Sequence, residues 1–485
     1  MKRILCLALV LLMLLPMAIA CKKDDEGSGA NNTGVANNTA NNGPTDLLDT
    51  IPTGNYGGKE FVISVQGEHK EEVYSEELTS EVANDTIYKW IDKINSRYGV
   101  SVKGQVPEGD FFTAQQTETS SGTVTTAIYG CNAYQVYKPV NAKIYKDWYE
   151  MGNMIDLTAE RWDKIVNDGV TWNGVLYGLT GDLGYSKLQG AMATFCNVGL
   201  LDEIGYTTDD LYKMVDDKEW TFEAFQSMLK DIYIDSDYDG KKSTGDTFGY
   251  VSVSGNAHDI WLTQFGISIT KQNDTTNKIE PTLFNDQTIS VVDKVWSFYH
   301  ENKGVLSGSS GDPEDKYFSD GRAAMVTTRL SYASQFSEDL GTDAYGILPA
   351  PLLDEDQDTY YTKLYDRFAV WGVSKSVLDS DVDFIAHITD ALCAESSQTV
   401  YPAFYDILLK QRYSKDPTTA RMVDILMENV SIDSTFMFGE NLLSYPYLVR
   451  GALRSSDKAN LSSSYKAIET QLLDKLEEIY DLYQK

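Results

Sequence analysis

The chain has 485 residues and a formal net charge of −31; 42% of its residues are hydrophobic and 12% are aromatic. This length exceeds one ordinary hydrophobic core, so we expect the folded part to divide into two lobes or domains. The acidic balance argues against a basic surface for nucleic acid or anionic lipid, and no nucleic-acid partner is expected.

The N-terminal residues have the layout of a secretory signal peptide. A basic start is followed by an apolar run over residues 4–17, and small residues precede Cys21. The run, roughly 14 residues, is shorter than the about 20 that span a bilayer. Its small–x–small–Cys ending resembles the bacterial lipobox. We predict a signal peptide over residues 1–20 and lipidation of Cys21 by diacylglycerol and palmitate, which would hold the protein at the outer face of the cell membrane. The alternative is an ordinary signal peptide with a coincidental cysteine.

The stretch that follows is predicted to be a flexible tether. Residues 21–58 are rich in Asn, Gly, Thr and Ala and contain almost no large apolar side chain before Leu47. Such a segment buries too little surface to offset the entropy of ordering. Its length suits a spacer that lifts a folded domain away from the membrane.

The first folded elements alternate between strand and helix. "KEFVISVQG" predicts a strand that ends at Gly67. Ile87, Ile91 and Ile94 recur at helical spacing before Gly99, and "VSVKGQV" predicts the next strand. Strand, helix and strand in this order predict a parallel α/β lobe.

The middle of the chain repeats the alternation. Turn signals at Asn173-Gly174 and Gly181-Asp182 flank a short apolar strand, and Thr221 is a candidate helix N-cap. "RAAMVTTR" and "RFAVWGVSK" predict further strands, and the chain becomes mostly helical from Asp381. The last helix carries one apolar stripe: Leu472, Leu473, Leu476, Ile479, Tyr480 and Tyr483.

One acidic loop has the spacing of a calcium site. In "DSDYDGKKSTGD" the oxygen donors fall at EF-hand-like positions, with a glycine at the sixth. The candidate ligands are Asp235, Asp237, Asp239, the Lys241 carbonyl, Ser243 and Asp246. A structural Ca²⁺ is therefore possible, with no cofactor required for function. The alternative is an acidic Asp/Gly turn, because no second helix follows and Asp246 is shorter than the usual Glu.

Catalysis finds little support in the sequence, and we expect a protein that is not an enzyme. The four histidines are scattered, and no G-x-S-x-G motif occurs. Carboxylates are so frequent that counting them does not exclude a glycosidase. Cys131, Cys196 and Cys393 are expected to be buried small hydrophobes, with a bridge between one pair left open.

Several segments resemble, in order, the bacterial extracellular solute-binding proteins of family 1, the receptors of ABC importers. They are "WNGVLYGLTGD", "TFCNVGLLDEIGY", "EWTFEAFQSMLKDI", "YFSDGRAAMVTT", "YGILPAPLLDEDQDTYYT" and "FAVWGVSKSVLDSDVDFIAHITDALCAES". The resemblance covers about residues 129–421. The chain departs from the family pattern at residues 180–182, where a proline is usual, and at Trp371, where a small residue is common.

The resemblance implies an α/β, two-lobed periplasmic-binding-protein-like fold with hinge strands and an inter-lobe cleft. We place lobe 1 at residues 59–184 and 365–415, lobe 2 at 185–364 and 416–485, and the crossings near Gly184 and Tyr365. The implied function is a lipid-anchored receptor that delivers a solute to ABC permease subunits by hinge closure. Oligosaccharide is the commonest ligand class in the family. The alternatives are a surface-anchored glycan-degrading enzyme and a polymer-binding adhesin.

Candidate ligand contacts are aromatic and polar side chains in loops at strand ends. Sugars stack their C–H faces on aromatic rings and need planar polar groups for their hydroxyls. Asp182 lies in a Gly-flanked turn, and Arg329 follows a strand in a region that lines the cleft in the family. The full set is Tyr134, Trp172, Asp182, Trp261, Arg329, Tyr332, Asp366 and Trp371.

Overall fold

The computed structural model describes residues 46–308, 312–341, 343–406, 417–458 and 460–484. The predicted signal peptide, the lipidated Cys21 and the tether up to residue 45 lie outside these described residues. Among the helices that are described, none combines the length and the apolar character that a membrane span requires.

The described part of the chain contains fourteen strands. They are β1 (Lys59–Val65), β2 (Val100–Gln105), β3 (Thr126–Asn132), β4 (Met192–Asn197), β5 (Tyr233–Ile234), β6 (Thr247–Ser252), β7 (Thr270–Gln272), β8 (Ile279–Pro281), β9 (Val305–Ser307), β10 (Ala323–Arg329), β11 (Tyr345–Leu348), β12 (Thr362–Lys363), β13 (Ala369–Gly372) and β14 (Val430–Ser431).

Eighteen α-helices lie in the same described ranges. They are α1 (Lys70–Val73), α2 (Val82–Tyr98), α3 (Phe111–Ser121), α4 (Tyr137–Asn141), α5 (Lys164–Val170), α6 (Ser186–Gly190), α7 (Val198–Asp202), α8 (Thr208–Asp216), α9 (Phe222–Leu229), α10 (Gly255–Gln264), α11 (Asp286–Glu301), α12 (Glu314–Ser319), α13 (Ala333–Asp339), α14 (Asp379–Gln398), α15 (Val400–Tyr405), α16 (Pro417–Glu428), α17 (Leu448–Arg454) and α18 (Asn460–Leu482).

Lobe 1 is built on a four-stranded sheet in the order β13-β3-β1-β2. β1 runs parallel to β2 and to β3, and β13 is antiparallel to β3, so the predicted parallel α/β unit is present. The link between β1 and β2 is α2, whose residues Ile87, Ile91 and Ile94 are buried as their spacing predicts. The helix ends at Gly99, where φ is 57°, a left-handed conformation that favours glycine.

Lobe 2 is built on a six-stranded mixed sheet. Its main path is β11-β4-β10-β6-β5, with β9 also pairing with β6. The strands come from distant parts of the sequence; β4 lies between β10 and β11 and is antiparallel to both. Its core is aromatic, with the Phe222 ring 5.0 Å from Trp261 and 5.4 Å from Phe298. Thr221 caps α9 as predicted, accepting a hydrogen bond from the Ala224 amide.

Two of the connections between the lobes lie in the described part of the chain and pair with each other. The first runs through α6 into β4, and the second runs from β12 into β13. Ala191 and Leu364 form an antiparallel bridge, and the Tyr365 amide donates to the Gly190 carbonyl at 2.9 Å. The crossings predicted near Gly184 and Tyr365 fall in these connections, while the residue limits of the two lobes stay a prediction.

The folded part begins earlier than the sequence predicts. Residues 46–58, assigned above to the flexible tether, pack on lobe 1: Leu48 and Ile51 are buried. The Leu47 amide donates to Gln398 Oε1 at 3.0 Å, and Arg97 donates to the Leu48 carbonyl. The prediction is wrong over this segment because the burial of two apolar side chains, Leu48 and Ile51, docks this short turn against the core of lobe 1.

The last helix contacts both lobes. Near its start, the Tyr465 ring stacks on Phe284 of lobe 2, with centroids 5.1 Å apart. At its end, the Tyr483 ring lies 5.3 Å from Trp172, and the Leu482 carbonyl accepts a hydrogen bond from Tyr177. Of the predicted apolar stripe, Leu473 is 52% exposed, so that residue does not face the core.

The cysteines are buried, as predicted. Cys131, Cys196 and Cys393 are free thiols, and no disulfide joins them. Burial raises the pKa of the Cys131 and Cys196 thiols to about 12. Groups with so high a pKa stay protonated at neutral pH, and a thiol is neither a nucleophile nor a metal ligand until it ionises.

Candidate ligand-binding cleft

A cleft of about 190 Å³ opens where the two lobes meet. It is lined by residues that follow β1 in lobe 1, residues that follow β10 in lobe 2, and residues of both crossings. The lining residues are Glu68, His69, Glu72, Ser186, Gln189, Gly190, Arg329, Ser331, Tyr365 and Arg367. A molecule in this cleft would contact both lobes at once.

The lobe 1 wall is organised by a buried histidine. His69 Nδ1 is hydrogen-bonded to Glu72 Oε1, and His69 Nε2 lies 3.1 Å from Asn132 Oδ1. Because both ring nitrogens face oxygen acceptors, the imidazolium, which donates from both nitrogens, satisfies the site. Burial lowers the pKa of His69, but the hydrogen bond and charge of Glu72, with the charge of Glu68, outweigh burial and raise it above 6.5.

Glu72 also ties lobe 1 to the first crossing. Its Oε2 accepts a hydrogen bond from the Ser186 amide at 2.9 Å. The carboxylate passes so close to Gly184 that a Cβ at that position would lie 2.5 Å from Oε2. Any larger residue at Gly184 would therefore displace Glu72 from the His69 and Ser186 contacts.

The lobe 2 wall presents an arginine held between two rings. Arg329 ends β10, and its guanidinium carbon lies 4.9 Å from the Tyr332 ring and 5.1 Å from the Tyr365 ring. Its Nη2 donates to the Tyr332 hydroxyl at 2.9 Å. These contacts fix the guanidinium at the cleft, and among the residues that the structure describes, most of its N–H donors have no acceptor.

The second crossing supplies a second arginine. The Arg367 guanidinium lies 5.5 Å from the Tyr134 ring and 6.0 Å from the Tyr365 ring. The crossing is held against lobe 1 by the Tyr134 amide, which donates to the Asp366 carbonyl at 2.9 Å. The cleft therefore combines two guanidinium groups with three partly buried tyrosines.

Four of the eight predicted ligand contacts lie at or beside this cleft. Arg329 lines it, while Tyr134 and Tyr332 support the two arginine side chains. Asp366 follows Tyr365, but its Oδ2 accepts a hydrogen bond from Tyr447 at 3.0 Å. Whether these four residues contact a ligand stays a prediction.

The other four predicted residues have structural partners elsewhere. Trp172, Trp261 and Trp371 are each 1% exposed. Trp172 stacks on Phe438, the Trp261 indole donates to the Tyr299 hydroxyl, and Trp371 lies in β13. Asp182 accepts a hydrogen bond from Ser397, and burial raises its pKa. The structure brings none of these four side chains to the cleft.

Sequence reasoning missed the lobe 1 wall. Glu68 and His69 come directly after the predicted strand "KEFVISVQG". Ligands of α/β folds bind at the carboxyl ends of parallel strands, so the polar run after the first strand was a usable signal. Gln189 and Ser331 carry no comparable signal, since only the lobe arrangement brings them to the cleft.

The aspartate loop brings three of its predicted ligands together. Carboxylate oxygens of Asp235, Asp237 and Asp239 lie within 4.8 Å of one another, and Asp235 Oδ1 is buried without a hydrogen-bond partner. Asp246 is fully buried and lies outside this group. Its two oxygens accept hydrogen bonds from the Ser236 and Ser243 amides. Asp246 therefore joins the start of the loop to its end. The Lys241 carbonyl and Ser243 also form hydrogen bonds inside the loop.

The sequence matches no protein-family model, and none of the curated proteins is similar to it. Solved structures do resemble it. An ABC substrate-binding protein from Listeria monocytogenes in complex with cycloalternan has 16% identity and a TM-score of 0.53, covering 86% of this chain and 99% of its own. The maltose-binding periplasmic protein of the same bacterium, in complex with maltose, has 15% identity and a TM-score of 0.52, covering 87% and 99%.

A third similar structure is a cyclic alpha-maltosyl-1,6-maltose binding protein from Arthrobacter globiformis. It has 14% identity and a TM-score of 0.56, covering 86% of this chain and 100% of its own. The chain has the two-lobed fold of periplasmic binding proteins. The predicted fold class is thereby confirmed, and at these identities the likeness extends to the fold alone.

The buried His69–Glu72 pair predicts a pH-dependent stability. Because the pKa of His69 is raised in the folded protein, its contribution is fully present below pH 6.5 and is lost as pH rises through the folded pKa. We expect the free energy of unfolding in urea to fall across this window in the native protein and to fall less in His69→Gln.

NMR of the imidazole rings measures the pKa of His69 independently of stability. The chain has four histidines, so the four ring signals can be followed individually by NMR. Glu72→Gln should lower the pKa of His69 while leaving that of His387, on the distant α14, unchanged. A His69 signal that titrates below pH 6.5 in the native protein would contradict this assignment.

Proposed function

We propose that this chain is an extracytoplasmic receptor that captures a carbohydrate and delivers it to an ABC importer. The observation that carries the proposal is the cleft, whose walls come from both lobes and whose floor comes from both crossings. In such a site a ligand is enclosed when the lobes approach each other. Membership of solute-binding protein family 1, on the sequence resemblance, is part of the proposal.

The ligand class rests on the side chains of the cleft and on the neighbours' ligands. The similar structures are described as complexes with cycloalternan and maltose. Here, Tyr365 lines the cleft and offers its ring to apolar C–H groups of a sugar, while Tyr134 and Tyr332 lie beside the cleft against the two arginines. Gln189 and Ser331 offer donors and acceptors for hydroxyl groups.

Hinge closure is the proposed mechanism. The crossings pair through the Tyr365 amide and the Gly190 carbonyl, so the lobes can rotate about this short ladder without separating. A ligand that contacts Glu68 on one lobe and Arg329 on the other stabilises the closed state by its additional contacts there. The permease subunits would then distinguish loaded from empty receptor by shape.

The alternatives are a glycan-degrading enzyme and a polymer-binding adhesin. A glycosidase needs two carboxyl groups free to act on the bond and on water. In the cleft, both Glu72 oxygens are engaged by His69 and Ser186, and Glu68 accepts a hydrogen bond from Asn132. The carboxylates therefore have structural partners, which favours binding without turnover.

Saccharide binding should stabilise the protein and compact it. At a hundredfold excess of ligand over Kd the expected stabilisation is about 2.7 kcal/mol, measurable as a rise in Tm across a panel of mono- and oligosaccharides. Small-angle X-ray scattering should show a smaller radius of gyration with a ligand that stabilises.

Variants locate the binding to the cleft. Tyr365→Ala should weaken saccharide binding about tenfold, because an aromatic contact contributes up to about 1.5 kcal/mol. Tyr149→Ala removes a 46% exposed tyrosine elsewhere on the surface and should leave affinity unchanged. Release of new reducing ends from a glycan at enzymatic rates would contradict the receptor proposal, as would a Tyr365 variant with native affinity.

The lipid anchor at Cys21 is a further part of the proposal. Its support is the small–x–small–Cys ending of the apolar run, which lies outside the described residues. Cys21→Ser should abolish metabolic labelling with palmitate and release the protein from the membrane fraction. Cys6→Ser, inside the apolar run, is the matched control and should keep both properties. Equal labelling of the two variants would overturn the assignment.

We also propose that the aspartate loop holds a structural Ca²⁺. The orphaned buried Asp235 Oδ1, with the Asp237 and Asp239 carboxylates, fits a hard cation that prefers oxygen ligands. Bound Ca²⁺ would neutralise the repulsion among these groups.

Calcium should therefore raise the Tm of the purified protein, and EDTA should reverse the change. Asp237→Asn should remove the response to calcium, while Asp474→Asn, on the exposed side of α18, should retain it. A Tm that is the same in calcium and in EDTA would rule out the site.

A further inference from the structure

The charge of the cleft differs from that of the chain. The sequence has 72 acidic and 41 basic residues, so an average surface patch is negative. The cleft is lined by two arginines, Arg329 and Arg367, whose guanidinium carbons lie 5.1 and 6.0 Å from the centroid of the Tyr365 ring. His69, Glu68 and Glu72 also line the cleft, and because His69 is paired with Glu72, the two arginines are offset only by Glu68.

Arg329 forms no salt bridge within the described residues, and the carboxylate of Asp315 interacts with it only through its charge. No carboxylate in the described part of the chain lies within salt-bridge distance of its guanidinium, and its hydrogen bond there goes to the neutral Tyr332 hydroxyl. Two tyrosine rings hold the group in place, so binding an anion would cost little side-chain entropy. The guanidinium is thus preorganised with free donors at the cleft.

Arg367 can also bind an anionic group of a ligand. Its nearest anion is Glu68, whose Oε2 lies 3.9 Å from Arg367 Nη1, and the arginine side chain is 50% exposed. The other Glu68 oxygen accepts a hydrogen bond from Asn132. A long, exposed ion pair of this kind contributes little, so a better-placed oxyanion can replace it.

We propose that the ligand is a saccharide carrying an acidic group, a carboxylate or a sulfate ester, which Arg329 and Arg367 bind. This inference rests on the proposed receptor function and names its substrate class. Guanidinium groups match the two oxygens of such a group with paired N–H donors. Glu68 and Glu72 face the same cleft, and their repulsion disfavours a polyanion such as an oligophosphate, so the ligand carries its charge at one position among neutral hydroxyls.

Matched ligands test the inference on the full receptor. Isothermal titration would compare a trisaccharide that carries a single terminal uronic acid with the same trisaccharide reduced at that carboxyl to the alcohol, which keeps the ring and linkage and removes the charge. A sulfated trisaccharide and its desulfated form make the second pair, so the two pairs distinguish carboxylate from sulfate. We expect the acidic member of one pair to bind about 10- to 100-fold more tightly, with an affinity that falls as salt rises.

Three substitutions that each remove one positive charge test whether the preference for the acidic ligand depends on the cleft arginines. Arg329→Gln and Arg367→Gln should each reduce the acidic preference about tenfold or more while affecting the neutral ligand less. Arg421→Gln removes the same charge from an arginine paired with Asp216 on the α8–α16 surface and should keep the preference. Because Arg367 is half exposed, its variant keeps the test valid should Arg329→Gln fold poorly.

The outcomes separate the two proposals. Tight binding of neutral saccharides with no acidic preference in either pair overturns the acidic class and leaves the carbohydrate receptor intact. A preference that survives both arginine substitutions also overturns it. If neither these pairs nor a broad neutral panel binds, the receptor function fails, and the acidic class fails with it.

Discussion

The structure depends on one short piece of backbone pairing. Where the chain passes between the lobes, Ala191 bridges Leu364 and the Tyr365 amide donates to Gly190. The Leu364 amide donates in turn to Ser431, which adds β14 to the same ladder. This pairing brings the end of α6 and the tyrosine-arginine segment after β12 to the same point. Two stretches far apart in the sequence thereby become the floor of one cleft, and each lobe needs to add only a few side chains to complete it.

The side chains of the cleft are held by polar contacts and rings in place of an apolar lining. Glu72 shares its oxygens between His69 and the Ser186 amide, so a buried charge on lobe 1 also positions the first crossing. Tyr332 and Tyr365 use their faces to support Arg329. The aromatic residues around the cleft therefore orient the arginine side chains. Their remaining edges are left to contact a ligand. Such an arrangement fits recognition by directional hydrogen bonds more than by apolar burial.

The elements could be predicted from the sequence wherever periodicity and capping agree. The spacing of Ile87, Ile91 and Ile94 with the stop at Gly99 gave α2, and Thr221 gave the start of α9. The ligand contacts were harder to predict. Whether a side chain is exposed depends on residues far away in the sequence, which local patterns do not reveal. Trp172 directly precedes the turn at Asn173-Gly174, as an exposed ligand contact could, yet its ring packs against Phe438 and Tyr483 from a distant part of the sequence. Arg329 was predicted because it follows a strand in the region that lines the cleft in the family that the sequence resembles, and it does line the cleft.

The last helix, α18, packs against both lobes. One end is seated on Phe284 in lobe 2 through Tyr465, and the other is seated beside Trp172 in lobe 1 through Tyr483. Because one helix joins these two contacts, a rotation of one lobe relative to the other would shift the ring contacts at one end or bend the helix. The proposed hinge closure would therefore change the packing around Tyr483. An environment-sensitive dye at the exposed Gln484, next to Tyr483, would therefore report the proposed closure of the lobes as a change in fluorescence.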